Sequence, residues 1–237
     1  MLLLAIETAT DLSSVVLIQD GEELAAWREP THQDLVRRLA EEVGAVMGRG
    51  GSSFSHLDLV TVGLGPGSFT SLRVGLATAK GICLAWDLPL VGVSSLAAMV
   101  WQTRDALAGL TCPVLDARRG EMYGGLYRVT GEGVVRLGGD FVTTAADLAE
   151  HLGPAEGGPV TVFGQLDLLP AAEIEAALAG RSRVWSDEVV RPDAAAVGCL
   201  GARRFAEAGA DDLGFLHPIY VRKSYAEEKF DLDLGLR

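Results

Sequence analysis

The chain has 237 residues, 49% of them hydrophobic, and a formal net charge of -12 at pH 7. This length and composition predict a globular protein with its own core, in one large or two small domains. Affinity for nucleic acids depends largely on Lys and Arg, so the acidic balance argues against tight direct binding of RNA. We expect any role with tRNA to be indirect, through a partner protein.

The cellular compartment is indicated by the cysteines and by the lack of targeting segments. Cys83, Cys112 and Cys199 are far apart and form no CxxC pair, which is typical of reduced thiols. The first apolar run, residues 2–6, is shorter than the about 7 to 15 residues of a signal-peptide core. No segment combines the length of about 20 residues and the low charge that a membrane span needs. We therefore expect a cytoplasmic protein with no membrane association.

Strand and helix patterns alternate in the first part of the chain. Short apolar runs predict strands, and Asp20-Gly21 is typical of a hairpin turn between two of them. An apolar stripe at helical spacing predicts a first long helix with Thr31 as its N-cap. The predicted strands are residues 2–6, 12–18, 23–29, 57–64 and 90–93. The predicted helices are residues 32–47, 68–86 and a third from Ser94-Ser95 to residue 107.

The second part of the chain restarts with a similar pattern. An apolar strand, residues 113–115, ends on Asp116 and turns back, just as the first strand ends on Glu7. This repetition predicts a duplicated strand-rich unit, although two unrelated hairpins would show the same local pattern. The other predicted elements are strands 121–129 and 160–164, a helix capped by Thr144 and ending at 152, and helices 171–178 and 192–208.

The domain organisation follows from these two halves. We predict an N-terminal lobe of residues 1–105 and a C-terminal lobe of residues 106–222. The final helix, 192–208, is a candidate to pack back on the first lobe. A charged tail, residues 223–237, follows the second lobe.

The turn Gly65-Pro66-Gly67-Ser68 stands between a predicted strand and a predicted helix. A glycine-rich turn at such a place can direct backbone N–H groups and a helix N-terminus at a ligand or at another chain. It matches neither the Walker loop nor the GxGxxG fingerprint. A tight connection in which Ser68 caps the helix accounts for the same residues equally well.

The helix predicted over residues 68–86 is apolar on more than one face. A helix of this kind must be covered on both sides. One side can lie on the sheet, and the other can contact a second helix from the same fold or from a partner. The pattern alone favours packing within the fold.

Two strand ends carry the residues of a possible nucleotide cleft, namely Glu7 with Thr8 and Asp116 with Arg118. Acidic residues stand at such places in actin-like ATPases. Glycine normally lets the backbone approach a phosphate there, and the first turn has no glycine. We therefore interpret this set as a vestigial cleft at most. Arg118 and Arg119 also have nearby carboxylates, and we favour a structural ion pair with one of these, Asp116 or Glu121.

No catalytic or metal-binding constellation is predicted. His32 is followed four residues later by Val36, so the HxxxH pair of a metal site is absent. Ser94 and Ser95 lack the GxSxG elbow of a hydrolase. Cys112 has no recognisable base partner.

Several of these segments resemble the TsaB (YeaZ) family, which works with TsaD, TsaE and TsaC in making threonylcarbamoyladenosine beside the tRNA anticodon. The family pattern GPGSFTGLRxGLAxAKG corresponds to GPGSFTSLRVGLATAKG at residues 65–81. The family's first strand end and its DARRGEVY segment correspond to LAIETA at 4–9 and DARRGEMY at 116–123. Together with VSSL at 93–96 and PIYVR at 218–222, the likeness spans most of residues 1–222.

The resemblance implies an α/β fold of the actin-like, hexokinase type (ribonuclease H-like), with two related lobes. It implies a non-catalytic subunit that pairs with a TsaD-like subunit, with a TsaE-like ATPase in the complex, and that forms a homodimer when alone. The complex would transfer a threonylcarbamoyl group to tRNAs that read codons beginning with A. No cofactor is expected on this chain, because ATP and metal are assigned to the TsaD partner. An active ATPase or phosphotransferase of the same fold is the alternative.

The resemblance also assigns the surface for self-association and for TsaD to the helices 32–47 and 68–86. Apolar and small side chains of these helices are the expected contact residues. They are Leu35, Leu39, Val43, Val46, Leu72, Gly75, Leu76, Ala79 and Cys83.

The sequence departs from the family pattern at two positions. Ser71 stands where the family has glycine, and Glu7 stands where it has Asp. Ser71 adds bulk at the helix start, and Glu7 moves a carboxylate by one methylene. Both changes argue further against nucleotide binding and leave the scaffold role unaffected.

Overall fold

The computed structural model describes residues 1–30, 34–152, 158–178, 180 and 182–222. The predicted N-cap Thr31, His32 and the tail 223–237 lie outside these residues. The strands are β1 (Leu2–Glu7), β2 (Leu12–Gln19), β3 (Glu22–Pro30), β4 (Leu59–Gly63), β5 (Leu90–Val93), β6 (Gly109–Arg118), β7 (Glu121–Gly124), β8 (Tyr127–Thr130), β9 (Gly133–Arg136), β10 (Phe141–Thr144), β11 (Val160–Gly164) and β12 (Ser182–Val184). The helices are α1 (Leu35–Arg49), α2 (Phe69–Trp86), α3 (Ser95–Thr103), α4 (Leu148–Leu152), α5 (Ala171–Leu178) and α6 (Ala194–Ala208), with a 3-10 turn at Phe54–His56.

The chain divides into two compact units. The first consists of Met1–Ala98 and Pro192–Pro218, and the second consists of Met99–Arg191 and the chain from Ile219. Helix α6 therefore belongs to the first unit, where it packs on β1, β2, β4 and β5.

The first unit is built on a five-stranded sheet in the order β3-β2-β1-β4-β5. Strands β1, β2 and β3 are antiparallel neighbours, while β4 and β5 run parallel to β1. All six residues of β1 are buried, because helices cover both faces of the sheet. A Cβ at Gly198 of α6 would meet Leu3 and Ala5 on one face, and Gly50 at the end of α1 contacts Leu17 on the other.

The second unit repeats this arrangement. Its seven-stranded sheet contains the path β10-β7-β6-β11-β12, in which β6, β7 and β10 are antiparallel neighbours and β11 and β12 run parallel to β6. This path has the topology of the first unit, and β8 and β9 are two additional strands joined to β6. The predicted duplication is therefore confirmed, since β1 and β6 are the corresponding central strands, with Glu7 at the end of β1 and Asp116 near the end of β6.

The core of the second unit lies beside β6 and β11 and under α4 and α5. It is formed mainly by aliphatic side chains, including Cys112, Val114, Leu148, Val162 and Ile174, all of which are buried. These residues alternate along each strand as expected for a sheet with one face against helices.

The structure corrects several element predictions. Residues 121–129 form two strands, β7 and β8. Strand β7 pairs with residues 114–118 of β6, whereas β8 pairs with residues 109–111. Strand β6 begins at Gly109, four residues before the predicted start. Thr144 ends β10, and its hydroxyl accepts from the backbone N–H of Asp147 at 3.3 Å, as a capping residue does, but regular helix begins only at Leu148. The short strands β9, β10 and β12 were not predicted, because three or four residues carry little periodic signal.

Candidate functional site

The turn Gly65-Pro66-Gly67-Ser68 connects β4 to α2, as predicted. Ser68 is the N-cap of α2, with extended backbone and a hydroxyl that accepts from the Ser71 N–H at 3.5 Å. The Ser68 and Ser71 hydroxyls lie 3.0 Å apart. Gly65 has a φ of 92°, a conformation that residues with a Cβ rarely adopt. The capping interpretation of this turn is therefore confirmed.

The same turn is packed closely against the turn between β1 and β2. The N–H of Ser68 donates to the carbonyl of Ala9 at 2.7 Å. A Cβ on Gly67 would overlap that carbonyl, so glycine is needed for the approach. The Ser68 N–H, which a phosphate loop would offer to a ligand, is here used within the chain.

Helix α2 also contacts this first turn through its side facing the sheet. The Thr8 hydroxyl donates to the Ser71 carbonyl at 2.9 Å. A Cβ on Gly75, one turn further along α2, would overlap the Thr8 hydroxyl. The small residue at position 75 therefore serves an internal helix-to-turn contact.

The Glu7 carboxylate lies at the centre of this buried region. Its Oε1 accepts from the Ala9 N–H at 2.7 Å, and its Oε2 accepts from the Ser95 hydroxyl at 2.7 Å. The Ser95 oxygen in turn accepts from the Gly65 N–H at 3.1 Å. Gly63 provides the room, because a Cβ there would overlap the carboxylate. Glu7 thus connects the first turn, the start of α3 and the turn before α2.

Burial raises the pKa of Glu7 to about 7, with a smaller contribution in the same direction from Asp193. The hydrogen bonds from Ser95, Ala9 and Thr8 act in the opposite direction. A carboxyl group in this environment is held partly protonated at neutral pH, because burial disfavours its charged form.

Glu7 and Thr8 have no exposed surface. The prediction that they contribute to a nucleotide cleft is therefore corrected, because both side chains are enclosed in the core of the first unit. Their polar atoms are bonded to other parts of that unit and do not face a ligand.

The second predicted strand end is a structural ion pair. Arg118 Nη1 lies 3.2 Å from Asp116 Oδ2, and the Arg118 N–H donates to Asp116 Oδ1 at 2.8 Å. The Asp116 N–H donates to the Gln165 side chain at 3.1 Å. This confirms the ion pair favoured from the sequence. The neighbouring carboxylate of Glu121 pairs with Arg222.

The predicted contact residues on α1 and α2 face inward. Each of them is buried within its own unit, and none of the apolar side chains is more than 6% exposed. The set comprises Leu35, Leu39, Val43, Val46, Leu72, Gly75, Leu76, Ala79 and Cys83. The prediction that these side chains form a partner interface is therefore corrected. The largest apolar stripe of each helix packs on the sheet of its own unit.

The outward sides of α1 and α2, which pack side by side, carry exposed small and apolar residues beside the charged Arg37, Glu41 and Arg73. On α1 an exposed stripe at i, i+4 spacing consists of Val36, Ala40, Gly44 and Gly48. On α2 the exposed residues with the same character include Phe69, Ala77, Gly81 and Leu84. We call these eight residues the outer helix face. The sequence contains a signal for this face, namely a second stripe of small and apolar residues at helical spacing. It is weaker than the inward stripe of large apolar residues and was therefore not recognised.

The outer helix face ends in large side chains, with Leu84 next to Trp86 at one end and Phe69 at the other. Leu84 is 73% exposed and Trp86 is 48% exposed, and the Trp86 ring stacks on Phe54 with centroids 6.1 Å apart. At the other end of α2, the Arg73 guanidinium lies over the Phe69 ring at 3.7 Å. Exposed aromatic and arginine side chains of this kind are enriched at protein–protein contacts.

The remaining reactive groups are structural. Burial raises the pKa of Cys83 and of Cys112 to about 12, so both remain thiols. Within the described part of the chain, no group of three or more His, Cys, Asp or Glu residues is arranged to hold a metal ion. The described helices also include none that is long and apolar enough to cross a membrane.

Comparison with known proteins identifies relatives over nearly the whole length. The family model for TsaD, tRNA N6-adenosine threonylcarbamoyltransferase, matches residues 29–165, more than half of the chain. The chain is 30% identical to "tRNA threonylcarbamoyladenosine biosynthesis protein TsaB" of Escherichia coli, over 97% of this chain and 98% of that protein. It is 28% identical to the protein of the same name from Bacillus subtilis, with the same coverage.

Solved structures show the fold. YeaZ from Pseudomonas aeruginosa matches with a TM-score of 0.76 at 23% identity, covering 92% of this chain and 99% of that one. The ROK hexokinase from Thermus thermophilus matches with a TM-score of 0.52 at 14% identity, covering 87% of this chain and 99% of that one. The predicted actin-like, hexokinase-type fold is thereby confirmed. From its matches in sequence and fold, the chain belongs to the TsaB (YeaZ) family, within the broader group that the TsaD family model describes.

Proposed function

We propose that this chain acts in the biosynthesis of threonylcarbamoyladenosine in tRNA as a non-catalytic subunit that pairs with a TsaD-like protein. A TsaE-like ATPase joins the complex, and the chain forms a homodimer when its partner is missing. ATP and metal are bound by the TsaD-like subunit, and this chain needs no cofactor of its own. It works in the cytoplasm. The relatives named for this biosynthesis support the process, and the outer helix face supports the role within it.

The outer helix face is the observation on which the pairing depends. Gly44, Gly48 and Gly81 have open space where a side chain would stand. Small residues on two adjacent helices let the backbone of another helix approach closely, and the apolar residues between them gain from being covered. Each Å² of apolar surface hidden contributes about 25 cal/mol before the costs of association.

The ends of this face supply larger side chains. Leu84 and Trp86 project at one end and Phe69 at the other. Large side chains around a closely packed centre match the usual division of an interface, in which a few residues contribute most of the binding energy. We therefore place the TsaD-like subunit on this face.

An arginine at the centre of the face tests the pairing. Ala77→Arg introduces a long charged side chain at an exposed position of α2, where the fold can accept it. We expect the variant to keep its circular-dichroism spectrum and melting temperature but to elute separately from the TsaD-like subunit in gel filtration. The matched control is Ala206→Arg, at an exposed position of α6. Normal pairing of the Ala77 variant would refute this surface.

Reconstitution tests the function itself. Transfer of the threonylcarbamoyl group to tRNA is measured with the TsaD-like and TsaE-like subunits, with and without this chain. We expect product only when the chain is present. Equal product in its absence would contradict the proposal.

The alternative function, an ATPase or phosphotransferase, has a separate test. The backbone groups of Ala9 and Ser68 and the carboxylate of Glu7 are engaged inside the first unit, which supports the non-catalytic role. Calorimetric titration of the isolated chain with Mg-ATP at millimolar concentration should give no binding heat. Saturable heat with turnover would favour the alternative.

A further inference from the structure

The turn between β6 and β7 has an unusual backbone. Arg118, Arg119 and Gly120 have φ values of 67°, 57° and 78°, so three successive residues lie in the left-handed region. Residues with a Cβ avoid this region, which is normally visited by glycine or by single Asn and Asp residues. In a hairpin turn with positive φ, Asn-Gly is the usual pair. Two arginines here are held in a conformation that other residues would adopt at lower cost.

Neighbouring groups hold the turn in place. The Asp116 carboxylate bonds both the backbone N–H and the guanidinium of Arg118. Arg222 donates to the Ala117 carbonyl at 3.5 Å and pairs with the Glu121 carboxylate. The charges of Arg118 and Arg222 are therefore matched by carboxylates of the same hairpin.

Arg119 is the exception in this cluster. It lies exposed at the tip of the hairpin, and its guanidinium has no hydrogen-bond or ion-pair partner among the residues that the structure describes. In its described part, the folded chain gains no bond from the Arg119 side chain that would offset its unfavourable backbone conformation. Strain of this kind is typical of functional sites. The exposed cation is also opposite in sign to the net charge of -12.

We propose that this turn presents Arg119 to a phosphate of the tRNA backbone once the complex has assembled. The inference rests on the proposed function, because the RNA must be brought to the chain by its partners. A planar guanidinium forms paired hydrogen bonds with a phosphate, which an ammonium group cannot do. A single contact of this kind positions RNA without giving the isolated acidic chain any appreciable affinity for it.

The experiment compares Arg119→Asn with the wild type in the reconstituted complex. Asn accepts the left-handed backbone, so the turn is kept and only the cation is lost. We expect the KM for tRNA to rise about 3- to 10-fold with kcat unchanged. The slope of log KM against the logarithm of the salt concentration should decrease by about one. The matched control is Arg128→Gln, which removes an exposed arginine from β8 of the same unit. It should leave the KM and its salt dependence unchanged.

Three outcomes would overturn the assignment. An unchanged KM for tRNA would show that the phosphate contact does not exist. Weaker pairing with the TsaD-like subunit at an unchanged KM would assign the turn to an acidic protein surface. A raised KM for ATP alone would assign it to a nucleotide. If the wild-type chain were not required for transfer at all, the proposed function would fail, and that result is distinct from any of these three.

Discussion

The carboxylate of Glu7 and the hydroxyl of Ser95 lie 2.7 Å apart, although 88 residues separate them in the chain. Ser95 begins α3, and its oxygen also accepts from the N–H of Gly65. The pair joins the end of the central strand to the turn that starts α2. The position of the outer helix face therefore depends on a buried, ionisable group.

Ionisation of Glu7 should lower the stability of the fold as pH rises. Its pKa is raised from 4.5 to about 7 in the folded protein, so the folded state favours the protonated form. The resulting stabilisation is complete below about pH 4.5 and is lost as pH rises through about 7, a change of about 3 kcal/mol. The measurement is the free energy of unfolding in urea, for Glu7→Gln and for wild type. The value for Glu7→Gln minus the value for wild type should increase by about 3 kcal/mol between pH 4.5 and pH 8.

A control separates this effect from the titration of the other carboxylates. Glu22→Gln removes an exposed carboxylate of β3 that has no side-chain bond among the described residues. The pH dependence assigned to Glu7 is the part that this control variant does not reproduce. A Glu7→Gln difference from wild type that does not change with pH would show that Glu7 ionises in the fold as it does in the unfolded chain.

Ser95→Ala should destabilise the first unit by about 1–3 kcal/mol, because it leaves both the Glu7 carboxylate and the Gly65 N–H without this buried partner. Thermal melting at pH 7 measures the loss. Ser53→Ala, which removes an exposed hydroxyl, is the matched control and should change the melting temperature little. Equal melting temperatures for the two variants would indicate that the Glu7–Ser95 bond contributes nothing to stability.

Much of the fold could be predicted because its signals are local. Asp20-Gly21 marked a hairpin, Ser68 marked the start of α2, and the repeat of strand ends at Glu7 and Asp116 indicated two related units. The split of residues 121–129 into β7 and β8 could not be predicted, because which stretch of β6 each strand pairs with is decided by tertiary contacts.

The direction of the α1 and α2 side chains was the main error at the site. Leu39 and Leu72 are apolar enough to gain from being covered by a partner, but the same apolar character buries them within their own unit. The hydrogen bond between Glu7 and Ser95 was also beyond sequence reasoning. Nothing near Glu7 in the chain indicates a partner 88 residues away.

Two glycines of α2 should respond oppositely to alanine. Gly75→Ala places a methyl group against the Thr8 hydroxyl, whereas Gly81→Ala points into open space. We expect Gly75→Ala to destabilise the protein by about 1–3 kcal/mol through overpacking. Gly81→Ala should stabilise it by about 0.5–1 kcal/mol through helix propensity. Chemical denaturation of both variants measures these changes.

Gly81→Ala also separates the stability of the fold from binding of the TsaD-like subunit. Gly81 lies on the outer helix face, so its alanine variant should bind the TsaD-like subunit more weakly while folding more stably. Ala206→Gly, at an exposed position of α6, is a propensity control on a helix away from that face. Tighter pairing of Gly81→Ala would contradict close helix packing at position 81.

Asp211→Asn should weaken the cover of the edge strand β5. The Asp211 carboxylate accepts from the Gly92 N–H at 2.8 Å and pairs with Arg204, whose guanidinium also donates to the Gly92 carbonyl. The Asp211 N–H donates to the Leu90 carbonyl at 2.9 Å. These bonds satisfy the outer edge of β5, which would otherwise be open to pairing with another chain.

We expect the neutral amide to lower the free energy of unfolding by about 1–2 kcal/mol, because it loses the ion pair with Arg204 and accepts weaker hydrogen bonds than the carboxylate does. Light scattering on heating should also show earlier aggregation than in the wild type, since a more weakly covered edge can add strands. The charge-matched control is Asp187→Asn, at an exposed position of the second unit where the carboxylate accepts from the Trp185 indole N–H. If both variants aggregated at the same temperature, net charge and not the open edge of β5 would be the cause.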